Sequence, residues 1–227
     1  MKAARIGSRN EPEIPDELAT LSVSLRELYD DASWADVSVN DAQLSGAQAQ
    51  RLAILGSRLT KVNFAESSLP ALRAADVVFT DCNFSNVQIA DSSFRRVSFS
   101  QTKFTGMQTS KTTFSDVAFR NCRMDLTTFG DTRFKNVTFD ECFLREADFS
   151  ETSFDRVRFV GCDLGRSLFT RTHTQHSEMR QCKLTELRGL DQLRGIAMEW
   201  NDILGNAEVF AAELGIEIID DSSERDR

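Results

Sequence analysis

From Trp34 to Leu184 every fifth residue belongs to one phase, made mostly of large apolar side chains, and no insertion or deletion interrupts its 31 consecutive units. Of the 17 Phe in the chain, 15 fall in this phase, and only Phe143 and Phe210 lie outside it. A period of five fits neither element of regular structure. A helix would smear these residues around its cylinder, and a flat strand would alternate them between faces. The period therefore describes a repeat, each unit being one short element of a larger coil.

A second position is also selective. Two residues before the large one sits a small or β-branched residue, as at Ala32, Val77, Cys82, Thr132, Ala147 and Ser167. The other three positions are mostly polar, so each unit directs two side chains inward and three outward. A longer period of twenty runs through the small position. Val77, Val97, Val117, Val137 and Val157 obey it, and so do all five cysteines, Cys82, Cys122, Cys142, Cys162 and Cys182, with Thr102 filling the one gap. Four units then make one turn of a square coil. Coils paired through their backbones sit about 4.8 Å apart, so the almost eight turns between Ala32 and Glu186 make a rod of roughly 37 Å. Ala49 and Ala74 stand where a large residue is expected, with Pro70 nearby, and predict local irregularity over residues 46–75.

The units ADFSE (147–151), CDLGR (162–166) and CNFSN (82–86) carry a specific resemblance. They are similar to the Ala-(Asp/Asn)-Leu-X-X motif of the pentapeptide-repeat family, in which Phe commonly replaces Leu. The resemblance covers about two-thirds of the chain and implies an all-β solenoid, a right-handed quadrilateral β-helix. Three segments are expected: an unstructured N-terminus and N-cap over 1–30, the β-helix over 31–187, and a C-terminal helical cap with an acidic tail over 188–227. Residues 1–13 show no apolar pattern and are expected to lack structure. Leu18, Leu21, Leu25 and Leu28 recur at helical spacing and predict a short helix followed by extended chain, laid over the first coil. Ile203, Ala207, Phe210, Ala211 and Leu214 fall on one helical face, Gly215 is placed to stop that helix, and IEII (216–219) reads as a short strand.

The net charge is −8, unevenly spread. Residues 31–187 hold 19 acidic and 19 basic residues, whereas 188–227 hold 10 acidic and 4 basic, so the acidity lies mostly at the C-terminal end. Within the rod, 92–123 is basic and 124–155 is acidic. Asp140, Glu141, Glu146, Asp148, Glu151 and Asp155 form an acidic belt there, a candidate partner-binding surface. Leu55, Val78, Leu126, Phe143, Val160 and Leu168 are outward apolar residues, and Phe143 is the one outward Phe of the coil.

Catalytic chemistry is not legible. Inward cysteines in an apolar interior are small core residues with raised thiol pKa values, not metal ligands or nucleophiles. Their odd number and inward phase fit a reducing cytoplasm. His173 and His176 point outward and are too few for a structural zinc site. No phosphate loop, nucleophile elbow, secretory segment or membrane span is present. The chain is expected to be a non-enzymatic, cytoplasmic binding protein with no cofactor or metal and no direct contact with nucleic acid or membrane.

The C-terminal LRGLDQLRG and EVFAAELGIEI are similar to the ending of the quinolone-resistance group within the family. That resemblance implies a DNA-mimic-like partner of a type II topoisomerase, DNA gyrase or topoisomerase IV. It also implies a homodimer joined through the C-terminal cap, for which Trp200, Ile203, Phe210 and Leu214 are the candidate interface. The alternative is a protein-interaction scaffold with no topoisomerase activity.

Overall fold

The computed structural model describes residues 9–219; the expected acidic tail over 220–227 lies outside the described residues, as do residues 1–8. Its architecture follows from one backbone device. Each five-residue unit turns through a residue in the left-handed conformation, and this recurs at every corner from Asp31 to Glu186: 28 non-glycine residues and Gly46, Gly56, Gly106 and Gly161. Left-handed geometry costs an L-residue about 1–2 kcal/mol, least for Asp, Asn and Gly. The corner amide offsets this by donating to the next coil: Asp36 to the Leu55 carbonyl at 3.0 Å, Glu141 to Val160 at 2.8 Å, Glu151 to Thr170 at 2.8 Å.

Successive turns pair in parallel, each residue with the one twenty positions on. Phe79 pairs with Phe99, Phe99 with Phe119, Phe119 with Phe139, and Phe139 with Phe159. The result is a right-handed quadrilateral β-helix. Its four faces are not equivalent. Ala53–Thr60, Arg73–Thr80, Ser93–Ser100, Thr113–Arg120 and Arg133–Asp140 each carry the chain across the first face and around a corner into the second. The third face is joined by single bridges such as Asn83 to Lys103. The fourth carries a short ladder of Gln88–Ala90, Gln108–Ser110 and Thr128–Gly130.

The interior is a set of aromatic stacks. Along the second face, ring centroids from Phe79 to Phe159 are 4.7, 5.1, 5.0 and 4.8 Å apart, with rings within 10° of parallel. Neighbouring faces meet edge to face, as in Phe99 against Phe104 at 5.1 Å and 79°. Both geometries suit the ring quadrupole. The small inward position tolerates polar atoms because the coil satisfies them. Cys142 donates to the Phe119 and Asp140 carbonyls at 3.4 Å each, and Thr127 donates to Phe104 at 3.0 Å. All five thiols are free and buried, and burial pushes the Cys82 thiol up to about 11.

Three expectations fail. No irregularity interrupts residues 46–75: Ala53–Thr60 and Arg73–Thr80 pair in register, and Ala49 and Ala74 are buried. Volume is redistributed, not lost, since Leu52 and Leu72 occupy small positions beside them and are fully enclosed. The N-cap is not a helix. Ala19–Thr20 forms a strand on Val37–Ser38, and only one 3-10 turn, Leu25–Glu27, follows. Of the four leucines, Leu28 alone is buried and Leu25 is exposed, because the first coil offers an open β edge that extended chain satisfies and a helix does not. Residues 9–13 are also not free: the Asn10 amide donates to the Asp116 carboxylate at 3.1 Å and the Glu13 amide to Asp76 at 3.1 Å.

Two outcomes test this core. Phe119→Ala should lower unfolding stability by about 3–5 kcal/mol, measured by denaturant titration, since rings above and below cannot close the gap. A maleimide should label the five cysteines in native protein on the order of a hundredfold more slowly than in denaturant, because burial withholds access from all five and, at Cys82, the thiolate as well. Rapid native labelling of three or more would contradict the inward assignment.

Candidate partner-binding surfaces

The acidic belt occupies a single turn of the coil, so its members stand at one height but face four directions. Asp140 lies on the second face and Glu141 at its corner. Glu146 lies at the third-face corner, Asp148 on the fourth face with Glu151 at its corner, and Asp155 on the first. One turn takes twenty residues, and residues 140–155 span most of it. Sequence proximity therefore becomes angular separation.

The coil above compensates much of this charge. Glu146 pairs with Arg166 at 2.8 Å and Glu151 with Arg171. Asp155 pairs with Arg156 at 2.9 Å and lies 3.5 Å from His176. Asp148 accepts the Ser150 amide at 2.8 Å. Asp140, Glu141 and Asp148 are the three members that form no ion pair among the described residues. The same twenty-residue offset pairs Asp31 with Arg51 and Asp76 with Arg96. Exposed pairs of this kind contribute about 0–1 kcal/mol each, but they cancel the field that a distant cation would feel.

The C-terminal end is built by two short helices, α1 (Trp200–Gly205) and α2 (Ala207–Glu213), broken at Asn206. Together they close the open backbone of the last coil. The Asp202 carboxylate accepts the Gln181 amide at 2.9 Å. The Asn206 side chain accepts the Leu184 amide at 3.0 Å and donates to the Cys182 carbonyl at 3.2 Å. Gly215 has φ +68°, and the Ile216 amide reaches back to the Ala211 carbonyl at 2.8 Å, so the expected helix stop is present. Residues 216–219 do not form the expected strand.

The four interface candidates divide. Ile203 and Phe210 are half-buried and line an apolar cleft with Leu190, Leu193, Ile196 and Met198 on the same end of the rod. Trp200 is 69% exposed and Leu214 74%. Leu204, Ile216, Ile218 and Ile219 join them at the surface, and the helical pattern had not singled these out. One continuous helix would put Ile203, Phe210 and Leu214 on one stripe. The break at Asn206, which exists to reach the coil end, re-aims the second helix.

Elsewhere, Phe143 is 48% exposed and carries the Arg123 guanidinium 5.5 Å from its ring centroid. Leu126 is exposed at a left-handed corner. His173 and His176 are both exposed, and among the described residues no group of three His, Cys, Asp or Glu is gathered as for a metal ion. No helix among them is long and apolar enough to cross a membrane.

Comparison with solved structures returns the plasmid-mediated fluoroquinolone resistance protein QnrB1. A trypsin-treated variant is 15% identical, covering 90% of this chain and 100% of that one with a TM-score of 0.40. The full-length form is 15% identical, covering 88% and 99% with a TM-score of 0.35. A pentapeptide repeat protein from the cyanobacterium Cyanothece 51142 is 9% identical, covering 65% and 88% with a TM-score of 0.17. No curated protein matches. The model of the pentapeptide repeat region matches residues 54–129 and 112–188, more than half of the sequence. With the unbroken five-residue phase and the square coil it builds, that match makes this chain a member of the pentapeptide-repeat family.

Proposed function

We propose that the protein is a non-catalytic binding rod that pairs end to end with a second copy through its C-terminal cap. The observation that carries this reading is the apolar end: Trp200, Leu204, Leu214, Ile216, Ile218 and Ile219 are all more than half exposed and cluster in sequence at one terminus of the rod. Exposed apolar groups concentrated in this way mark an interaction site. A closed two-fold contact between identical ends also stops at two copies, whereas a head-to-tail contact would grow a filament. The inward pair, Ile203 and Phe210, supports the cap from below, leaving Trp200 and Leu214 as the contacting members of the original four.

The partner favoured for such a rod is a type II topoisomerase, DNA gyrase or topoisomerase IV, engaged in the cytoplasm in the manner of a DNA mimic. Support comes from the concentration of acid at the C-terminal segment, net −6 over 188–227, which pairing would double at the centre of a longer rod. Asp140 and Glu141, adjacent at one corner, are the belt members assigned to reach cations on such an enzyme, because Glu146, Glu151 and Asp155 are compensated by arginines of this chain and Asp148 accepts the Ser150 amide. Duplex DNA carries one charge per roughly 1.7 Å of axis. The near-neutral coil body lacks that density, so attraction is placed at the acidic end and not along the whole rod. The alternative, a scaffold for another protein, draws on the exposed Phe143 and Leu126 instead.

Light scattering at micromolar concentration should give twice the chain mass, and Trp200→Glu with Leu214→Glu should reduce it to one. A monomeric wild type would exclude the end-to-end dimer. In a supercoiling assay the wild type should inhibit gyrase or protect it from a quinolone, and the effect should weaken with salt. Asp140→Asn with Glu141→Gln should reduce the effect without changing the circular dichroism spectrum. No effect of the wild type at micromolar concentration would leave the scaffold reading in its place.

A further inference from the structure

We propose that the corner between the first and second faces is a docking groove for an extended peptide, filled in this chain by its own residues 9–16, and that this arm can leave it. The arm runs against the direction in which the coils ascend. Asn10 meets Asp116, Glu13 meets Asp76, and Pro15 lies over Gly56 beside Asp36, before Ala19 joins the first coil. These contacts all fall on one corner ladder, Asp36, Gly56, Asp76, Arg96 and Asp116, spaced by twenty residues.

The spacing explains the fit. Asp76 and Asp116 are two coils apart, about 9.6 Å, and three residues of extended chain cover about 10 Å. Every third amide of an extended peptide can therefore reach every second corner carboxylate. Asn10 and Glu13 stand in that register, and the prolines at 12 and 15 keep the arm extended without removing either donor. Gly56 belongs to the same design: at φ +54° a Cβ there would run into the Asp36 carboxylate and touch Pro15.

The groove also has the surroundings of an occupied site. Asp116 accepts the Asn10 amide at 3.1 Å, the Asn10 side chain at 3.2 Å and the Asn136 side chain at 2.5 Å. Arg96 holds Asp76 through both carboxylate oxygens. Burial pushes both carboxyls up, yet the hydrogen bonds to each, with Arg96 and Arg95 beside Asp76, leave them below the ordinary carboxylate range, so it is the ionised form that receives the arm. The Arg9 side chain is only 8% exposed, and Ser98 and Ala118, outward residues beside the ladder, are buried. Recognition runs through backbone amides, which makes the groove tolerant of sequence. When the arm is out, an extended segment of another protein fits the same register.

Trypsin cleavage after Arg9 reads the arm's position in the full-length chain. The Asp76→Ala/Asp116→Ala double variant should be cut at least about tenfold faster than wild type, because the wild-type bond is protected by docking. An acetylated peptide NEPEIPDE, at concentrations above the roughly millimolar effective concentration of a tethered arm, should raise wild-type cleavage and leave the double variant unchanged. Hydrogen exchange of wild type supplies a measurement that needs no variant: the Asn10 and Glu13 amides should be protected. Equal cleavage of wild type and a folded double variant, no response to the peptide, or unprotected amides at both positions would each overturn the proposal.

Discussion

The left-handed corner is the constraint on which the rest of this structure depends. It bends the chain by a quarter turn every five residues, so residue n always lies beneath residue n + 20. Each corner places a residue in a costly conformation, and at most corners the amide of that same residue is what bonds to the coil above. Neither part is stable alone. A single coil would carry the conformational cost with no partner, which is why the repeat exists only as a stack.

Everything attached to the backbone inherits this register. Phe79 to Phe159 stack because their Cα atoms are paired, and Cys122, Cys142, Cys162 and Cys182 align for the same reason. Charges align as well. Arg51 over Asp31, Arg96 over Asp76, Arg166 over Glu146 and Arg171 over Glu151 are vertical pairs of opposite sign. A rod assembled this way is near neutral in sum, although its basic 92–123 and acidic 124–155 bands remain. Its distinctive surfaces are therefore the places where the pairing stops or is interrupted: the capped end, the Asp140 and Glu141 corner, and the groove taken by the N-terminal arm.

Both ends cover the open coil with a strand, Ala19–Thr20 on the first and Ala197–Met198 on the last, and the last also receives side chains, Asp202 and Asn206, which stand in for the rest of the missing coil. Either solution covers an edge that would otherwise invite another chain. The C-terminal solution turns α1 and α2 so that Trp200 and Leu214 face solvent while Ile203 and Phe210 face the rod.

The inward residues, the twenty-residue turn and the stacking partners were determined by sequence alone, because a strict five-residue phase allows only one assignment of inside and outside. Asp140 could be placed on the surface in this way, and Phe119 in the core. Tertiary structure decided what lies beyond the phase. It spread the belt from Asp140 to Asp155 around four faces, since angular position follows from the corner geometry and not from closeness in sequence. It absorbed Ala49 and Ala74 through Leu52 and Leu72, which depends on summed volume across neighbouring units. It split the C-terminal helix at Asn206 and laid residues 9–16 along the Asp76 and Asp116 corners, because both segments answer to unpaired groups contributed by residues far away in the chain.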